Sequence, residues 1–529
     1  MGPESGPWRN IEHIVVLMLE NRSFDSLLGW LYDPGNEPPY NQAPKNFEGL
    51  SGKSLSNPDQ NGNPVPVRKA DVRDVVGPLP NPGEPYEDVY SQVYDQPRCA
   101  LVNVPPNPTG PPTMKGFIRN YSEQSKPPAN PRIIMECHTP AAVPVLSALA
   151  HNYAACDHWF ASIPTQTFCN RSFVHAGTSS GYVNNAGGGH CFVNDTPTIF
   201  DVLEAAGKSW TIFCGSWLLE CFALLTQKRL WKYALTDRFA HFGKFISAAS
   251  RKGGLPNYSF IEPIYFDSIV WGAENDMHPE CNFYEFYGPS NLHKGDALIW
   301  KVYEAIRNGP NWESTCLIVL FDEHGGCYDH VPPPTSADCP VAVSPDGIVI
   351  PKTARGGSGF DFDRLGPRVP AIIVSAYTKA GTILNDVFEH TSVLSTIVNC
   401  FSLPRNQLGA RQARAKDVSA ALNSPAARTD KPEIQKPTSS VFEELKEEAH
   451  FIAHLRLVNA QKKPMSDLQR VALHGVANFA GDESLHARIE GLQTELEGGT
   501  VVAEHEAKMV KEKIARIAGI SGANSTGRE

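Results

Sequence analysis

The sequence lacks two features that would indicate its class of partner at once: a long apolar run and an excess of basic residues. No run of about 18 apolar residues occurs among the 529 residues, so we expect no transmembrane helix. The formal net charge is −10, and because nucleic-acid binders usually present a basic face to phosphates, we expect no nucleic-acid partner. A phosphate-ester substrate stays compatible with this charge, since a bound metal ion can outweigh it locally.

A secretory signal and a cysteine framework are also missing. Residues 1–10 have no basic start followed by an apolar stretch, which predicts a cytoplasmic protein for the chain as written; a secreted form with a trimmed signal stays an alternative. The 12 cysteines include no Cys-x-x-Cys pair, which excludes ordinary zinc-finger spacing. We expect most of them to be reduced residues of the core.

Short apolar runs are present at 14–19, 316–321 and 369–375. Such runs, bounded by polar residues, are typical of strands buried on both faces of a parallel sheet. Stretches with helical spacing lie between them, for example at 296–308 and 389–401. Strands that alternate with helices predict an α/β fold in which helices cover a mostly parallel sheet.

The length predicts more than one structural unit, because single cores seldom exceed roughly 300 residues. We predict a catalytic domain at 1–411, a polar linker at 412–437 and a small helical region at 438–529. Leu485, Ile489, Leu492 and Leu496 show the spacing of an amphipathic helix in that last region. Residues 33–132 are rich in Pro, Gly and Asn, which predicts surface excursions around the mouth of a site.

Polar ligands follow two of the predicted strands directly. Glu20 and Asn21 come after the first strand, and Asp322 and Glu323 after the run at 316–321. Because the carboxyl ends of parallel strands lie along one edge of a sheet, these four side chains can converge there and hold a divalent metal. The alternative is that the acids are helix N-caps.

Thr167 stands at the start of a predicted helix, where free backbone N–H groups and the helix dipole favour an anion. A threonine there is often only a cap. If it lies against a metal, its hydroxyl becomes a usable nucleophile. Arg171, one turn further on, can bind a phosphate oxygen or pair with an acid in the core.

Four blocks of the sequence resemble the motifs of one family. They are Glu-Asn-Arg-Ser-Phe-Asp at 20–25, Thr-x-x-Asn-Arg at 167–171, Asp-Glu-His-Gly-Gly with Tyr-Asp-His-Val-Pro at 322–332, and Arg-Val-Pro at 368–370. The chain resembles, over roughly residues 8–405, the phosphoesterase family of bacterial phosphatidylcholine-type phospholipases C, plant non-specific phospholipases C and a related acid phosphatase. That family belongs to the alkaline-phosphatase-like superfamily. One departure is Cys169, because the family commonly has Pro before the Asn-Arg pair.

The resemblance implies a three-layer α/β/α sandwich, one divalent metal ion with calcium and zinc among the candidates, and a phosphothreonine intermediate. It assigns the metal to Glu20, Asn21, Thr167, Asp322 and Glu323, with Thr167 as the nucleophile. The other catalytic candidates are His278, from a block at 275–279 that resembles the family's, His324 and His138. The substrate-binding candidates are Asn170, Arg171 and His330. For His324 the alternative is support of the metal ligands, and for His138 simple exposure.

The implied function is a phospholipase C that acts on phospholipids such as phosphatidylcholine, at a membrane surface, and releases diacylglycerol and a phosphorylated head group. An acid phosphatase acting on phosphomonoesters is the first alternative, since the same nucleophile and metal would serve both. A catalytically dead binding protein on the same fold is the second.

Overall fold

A computed structural model describes residues 6–437 and 467–508 of the chain. Within these ranges it leaves out 73, 76, 99–107, 109, 188–189, 216–219, 266–273, 280–290, 335–359, 361, 406, 495–496, 499, 503 and 506–507. Of the helical region predicted at 438–529, residues 438–466 and 509–529 lie outside the described residues.

Eight strands form the central sheet: β1 (His13–Leu19), β2 (Ala154–Cys156), β3 (Trp210–Cys214), β4 (Phe239–His241), β5 (Tyr258–Glu262), β6 (Thr315–Phe321), β7 (Ala371–Ser375) and β8 (Thr382–Leu384). Their spatial order is β4-β3-β5-β1-β6-β7-β2-β8. β7 runs antiparallel to both neighbours, and the other neighbouring pairs are parallel. The predicted mostly parallel sheet is confirmed, with β7 reversed within it.

Helices cover both faces of this sheet. Every residue of β1 and β6 is buried, which requires a layer on each side of the apolar strands. One group of contacting helices consists of Pro144–Asn152, Phe242–Ala249 and Leu292–Arg307, and another of Thr167–Ala176, Ile199–Ala205 and Thr391–Cys400. The α/β/α sandwich predicted from the sequence is therefore confirmed.

The other described α-helices are Phe24–Leu28, Tyr86–Tyr94, Phe117–Ser122, Phe222–Thr226, Gly409–Arg414, Asp467–Ala480 and Glu483–Glu490. Short 3-10 helices lie at Pro7–Asn10, Pro131–Met135, Lys228–Tyr233, Trp312–Ser314 and Val418–Ala421. Small strand pairs join Ser56–Pro58 to Pro64–Pro66, Arg68–Lys69 to Glu136–Cys137, Trp159–Phe160 to Phe388–Glu389, and Ala186–Gly187 to His190–Cys191. Among the described helices, none is long and apolar enough to cross a membrane.

Residues 33–132, predicted as surface excursions, also contribute buried side chains to an apolar core. The helices Tyr86–Tyr94 and Phe117–Ser122 form a second apolar core with Tyr328. Further along the chain, Leu422 and Ile434 of the predicted linker are buried in the main core.

The C-terminal helices Asp467–Ala480 and Glu483–Glu490 contact each other, and the first also contacts Phe222–Thr226. The domain boundaries stay predictions.

Candidate active site

The polar residues after β1 and β6 meet at one edge of the sheet. The two strands are paired in parallel as far as Leu19 and Phe321, so the residues that follow them leave the sheet side by side. The backbone N–H of Asn21 donates to Asp322 Oδ1 at 3.0 Å. Asn21 adopts a left-handed backbone conformation with φ of 52°, which asparagine tolerates better than most residues. Both strand ends are wholly buried.

Thr167 begins the helix Thr167–Ala176 and faces this edge. Its hydroxyl lies 3.2 Å from Glu20 Oε2 and 3.4 Å from Asn21 Oδ1, to which it donates. Gln166, the residue before the helix, makes no side-chain cap bond. The threonine is therefore turned toward the acid and amide of the first strand end.

Asn170 and Cys169 shape the turn that leads into this helix. Asn170 Oδ1 accepts from the N–H of Ile163 at 3.0 Å, and its amide donates to Thr165 O at 2.7 Å. The Cys169 thiol contacts Asn184 O at 3.4 Å. A substrate-binding role for Asn170 stays a prediction, because its described contacts hold the turn in place.

Arg171 pairs with acids from both strand ends. Its Nε lies 2.9 Å from Glu20 Oε1 and 3.2 Å from Asp322 Oδ2. Burial raises the pKa of Glu20, and the Arg171 charge acts in the opposite direction. The guanidinium is itself buried over the ring of Tyr265, 5.2 Å from its centroid. The observed contacts are those of a counter-ion, and a phosphate contact for Arg171 stays a prediction.

His278 lies beside Asn21 and Glu84. Nδ1 lies 2.6 Å from Pro279 O, and Nε2 lies 3.3 Å from Glu84 Oε1 and 2.9 Å from Asn21 Nδ2. The Pro279 carbonyl is an acceptor, so Nδ1 carries a proton, whereas Nε2 lies between a carboxylate acceptor and an amide donor. Burial alone would lower its pKa, but the carboxylates of Glu84, Asp276 and Glu20 raise the pKa to about 10.

Glu84 is the site residue that the sequence analysis did not find. It stands in a loop just before the helix Tyr86–Tyr94 and is buried next to His278. Asn81 Nδ2 donates to Glu84 Oε1 at 2.6 Å. Burial would raise the pKa of Glu84, yet the charge of His278 keeps it below its usual value. Among the described residues no strand ends directly before Glu84, so its position in the chain carried no signal of a site.

His324 is held by the same helix. Its Nε2 donates to Gln92 Oε1 at 2.7 Å, while the Gln92 amide donates to Gly83 O at 2.7 Å. Burial lowers the pKa of His324 to about 3, so Nδ1 carries a lone pair. That nitrogen lies 3.3 Å from Glu323 Oε2 and has no proton to donate to it. Support of the acid and contact with phosphate both stay predictions for His324.

The donor set fits a divalent cation. Glu323 Oε2 accepts from the Gly325 N–H at 2.7 Å, but Glu323 Oε1 is buried with no hydrogen-bond partner. A buried carboxylate oxygen without a donor is costly. Burial and repulsion from the Glu84 carboxylate raise the pKa of Glu323. A cation held by the predicted ligands would pair with this oxygen and offset the repulsion between the carboxylates. Oxygen donors suit hard divalent metals.

A second group of potential ligands lies nearby, and an arginine neutralises it. Ligand atoms of Asp25, Asp329 and His330 lie within 4.8 Å of one another, a tighter group than any that Glu20, Asp322 and Glu323 enter among the described residues. Arg368 donates to Asp25 Oδ1 at 2.8 Å and to Asp329 Oδ1 at 2.9 Å. His330 Nδ1 lies 2.6 Å from Asp25 Oδ2. These contacts join the helix Phe24–Leu28, which follows β1, to the loop after β6.

Two predicted residues stand apart from Thr167. His138 is buried, its backbone N–H donates to Ser26 O at 2.8 Å, and burial together with the charge of Arg22 lowers its pKa to about 3. In the described part of the chain, neither His138 nor His330 forms a hydrogen bond or ion pair with Thr167 or with the acids around it. Their catalytic and binding roles stay predictions.

Comparisons with known proteins match the part of the chain that carries the candidate site. The model of the Phosphoesterase family matches residues 11–404. The chain is 33% identical over 433 residues to non-specific phospholipase C3 of Arabidopsis thaliana, with 80% of this chain and 75% of the relative covered. It is 26% identical over 477 residues to phospholipase C B of Mycobacterium tuberculosis, with 84% of each chain covered.

A solved structure of a protein in the alkaline phosphatase superfamily from Vibrio parahaemolyticus aligns with a TM-score of 0.30 and 12% identity, over 55% of this chain and 65% of that one. The family model spans every strand of the central sheet and every residue of the candidate site. From this match and these identities, the chain belongs to the Phosphoesterase family.

Proposed function

We propose that this phosphoric ester hydrolase is a phospholipase C that cleaves the glycerol-side phosphodiester bond of phospholipids such as phosphatidylcholine. The observation that carries the proposal is the Thr167 hydroxyl, held 3.2 Å from Glu20 and 3.4 Å from Asn21 at the carboxyl edge of the sheet. Relatives named phospholipase C, at 33% and 34% identity, supply the substrate class.

Thr167 Oγ attacks phosphorus in line with the leaving group in this proposal. The Thr167 hydroxyl gives its proton to water, the Oγ–P bond forms and the P–O bond to the glycerol oxygen breaks. A water molecule then hydrolyses the phosphothreonine, which releases the phosphorylated head group, restores the Thr167 hydroxyl and returns a proton to His278. Glu20, Asn21, Asp322 and Glu323 would hold a divalent cation, which lowers the pKa of a hydroxyl and offsets charge on the transferred group when bound. Arg171 limits repulsion between Glu20 and Asp322 from the core side.

The departing glycerol oxygen needs a proton, and His278 is the proposed donor. It holds protons on both nitrogens at neutral pH, because the surrounding carboxylates raise its pKa to about 10. A histidine in hydrogen-bond reach of the leaving oxygen can then act as a general acid. The proton passes from Nε2 to the alkoxide as the bond breaks.

The test is a product assay on phosphatidylcholine vesicles, with calcium and zinc added separately to protein stripped of metal. Release of phosphocholine together with diacylglycerol is expected. Release of choline, or phosphate released only from monoesters, would reject the phospholipase C assignment. Absence of hydrolysis with every metal, in a folded protein, would favour the binding protein on the same fold.

A further inference from the structure

We infer that Glu84 is a specificity-determining residue that makes the site select phosphodiester monoanions over phosphomonoester dianions. This inference rests on the proposed function, because it concerns which ester the same nucleophile accepts. None of the four sequence blocks contains Glu84. Its location beside the site comes from the folded chain alone.

Glu84 is linked to the nucleophile through two side chains. His278 Nε2 lies 3.3 Å from Glu84 Oε1 and 2.9 Å from Asn21 Nδ2, and Asn21 Oδ1 accepts from the Thr167 hydroxyl at 3.4 Å. The Glu84 carboxylate is therefore close to a phosphate group bound at Thr167. Glu84 Oε1 is fixed there by Asn81 at 2.6 Å and by His278 at 3.3 Å.

The chemistry of this carboxylate disfavours a second negative charge. An ionised carboxylate has acceptor oxygens and no proton to donate, so it offers nothing to an additional phosphate oxygen. A phosphomonoester carries a charge of about −1.5 to −2 at pH 7, whereas a diester carries one. Repulsion between like charges grows with the charge of the ester, so the Glu84 carboxylate penalises the monoester relative to the diester.

The experiment compares two esters with the same leaving group, p-nitrophenyl phosphorylcholine and p-nitrophenyl phosphate, on metal-loaded enzyme. Glu84→Gln keeps the size and one acceptor oxygen but removes the charge. The ratio of kcat/KM for monoester over diester should rise at least about tenfold in this variant. Glu87→Gln, three residues along the same segment and partnered by Arg98 instead, should leave the ratio unchanged.

A second measurement does not depend on turnover or on the variant. Isothermal titration of wild-type enzyme at pH 8 should show dimethyl phosphate binding at least as tightly as inorganic phosphate. An unchanged ratio in a folded Glu84→Gln enzyme, or tenfold tighter binding of inorganic phosphate to wild type, would overturn this inference alone. Hydrolysis of neither ester by wild type would overturn the proposed function, and this inference with it.

Discussion

The Thr167 hydroxyl donates hydrogen bonds to Glu20 and Asn21. Alanine has no side-chain oxygen, so it removes the proposed nucleophile. Thr167→Ala should reduce kcat at least about a thousandfold, as removal of a nucleophile does in other covalent mechanisms. Thr236→Ala, at an exposed threonine, should retain full activity. Single-turnover kinetics and a thermal melt would separate lost chemistry from lost fold. Normal turnover by Thr167→Ala would remove the nucleophile from the mechanism.

His278 gives a prediction that distinguishes a proton donor from a structural residue. His278→Ala should slow substrates with alkyl leaving groups at least about tenfold more than p-nitrophenyl esters, since an activated phenolate leaves without a proton. Brønsted plots over a series of leaving groups would measure the difference. Parallel losses across the series would assign His278 a positioning role only.

Arg368 is wholly buried between Asp25 and Asp329, and removal of one partner from such a group leaves uncompensated charge. Arg368→Leu should lower the free energy of unfolding by about 3–5 kcal/mol, measured by urea titration. The matched change Arg68→Leu breaks an ion pair whose arginine is 52% exposed and should cost about 0–1 kcal/mol. Equal costs would mean that the buried network contributes no more than a surface pair.

At the scale of elements, the turn after β6 depends on a glycine in contact with the end of β1. Gly325 has φ of 61°, and a Cβ there would lie 2.1 Å from Asn21 O. Gly325→Ala should displace Asn21, weaken metal binding and reduce activity at least about tenfold, beyond the roughly 1 kcal/mol that a left-handed alanine costs. Gly253→Ala is the control, since φ is 64° there and nothing lies within 4 Å.

Metal titration by calorimetry and a thermal melt would test this turn. Similar metal affinity in the Gly325→Ala and Gly253→Ala variants would show that the close approach to Asn21 does not govern the site. A loss confined to Gly325→Ala would assign the effect to the contact between the two strand ends, because both variants carry the same backbone strain.

For the whole molecule, the C-terminal helices are joined to the helix that carries Thr167. Leu473 and Val476 belong to the same apolar cluster as Phe168 and Phe173. Leu473→Asp should therefore lower the Tm by several degrees, because a buried charge would separate the helices, and should reduce kcat with it. Ala480→Asp, exposed at the end of the same helix, should change neither value. Unaltered Tm in Leu473→Asp would mean that the helices fold independently.

The strands that carry the site were predictable because their signal is local. β1 and β6 are apolar at almost every position, and a run of this kind can be stable only when covered on both faces. The predicted ligands Glu20 and Asp322 follow those runs directly, so their meeting at one sheet edge followed from the rule for parallel strands. The helix Thr167–Ala176 was likewise visible, and its glycine at 177 ends it with φ of 72°.

Residues outside this pattern were settled by tertiary structure. Glu84 directly follows no described strand, and it meets His278 next to the helix Tyr86–Tyr94, which packs in one apolar cluster with Tyr328. The ion pairs of Arg171 depended on where Glu20 and Asp322 came to lie. Apolar periodicity depends on residues that are close together in the chain, so it can be read from the sequence. The partners of a buried charge can be residues far apart in the chain, as Glu20 and Asp322 are from Arg171. Only the tertiary structure shows which residues those partners are.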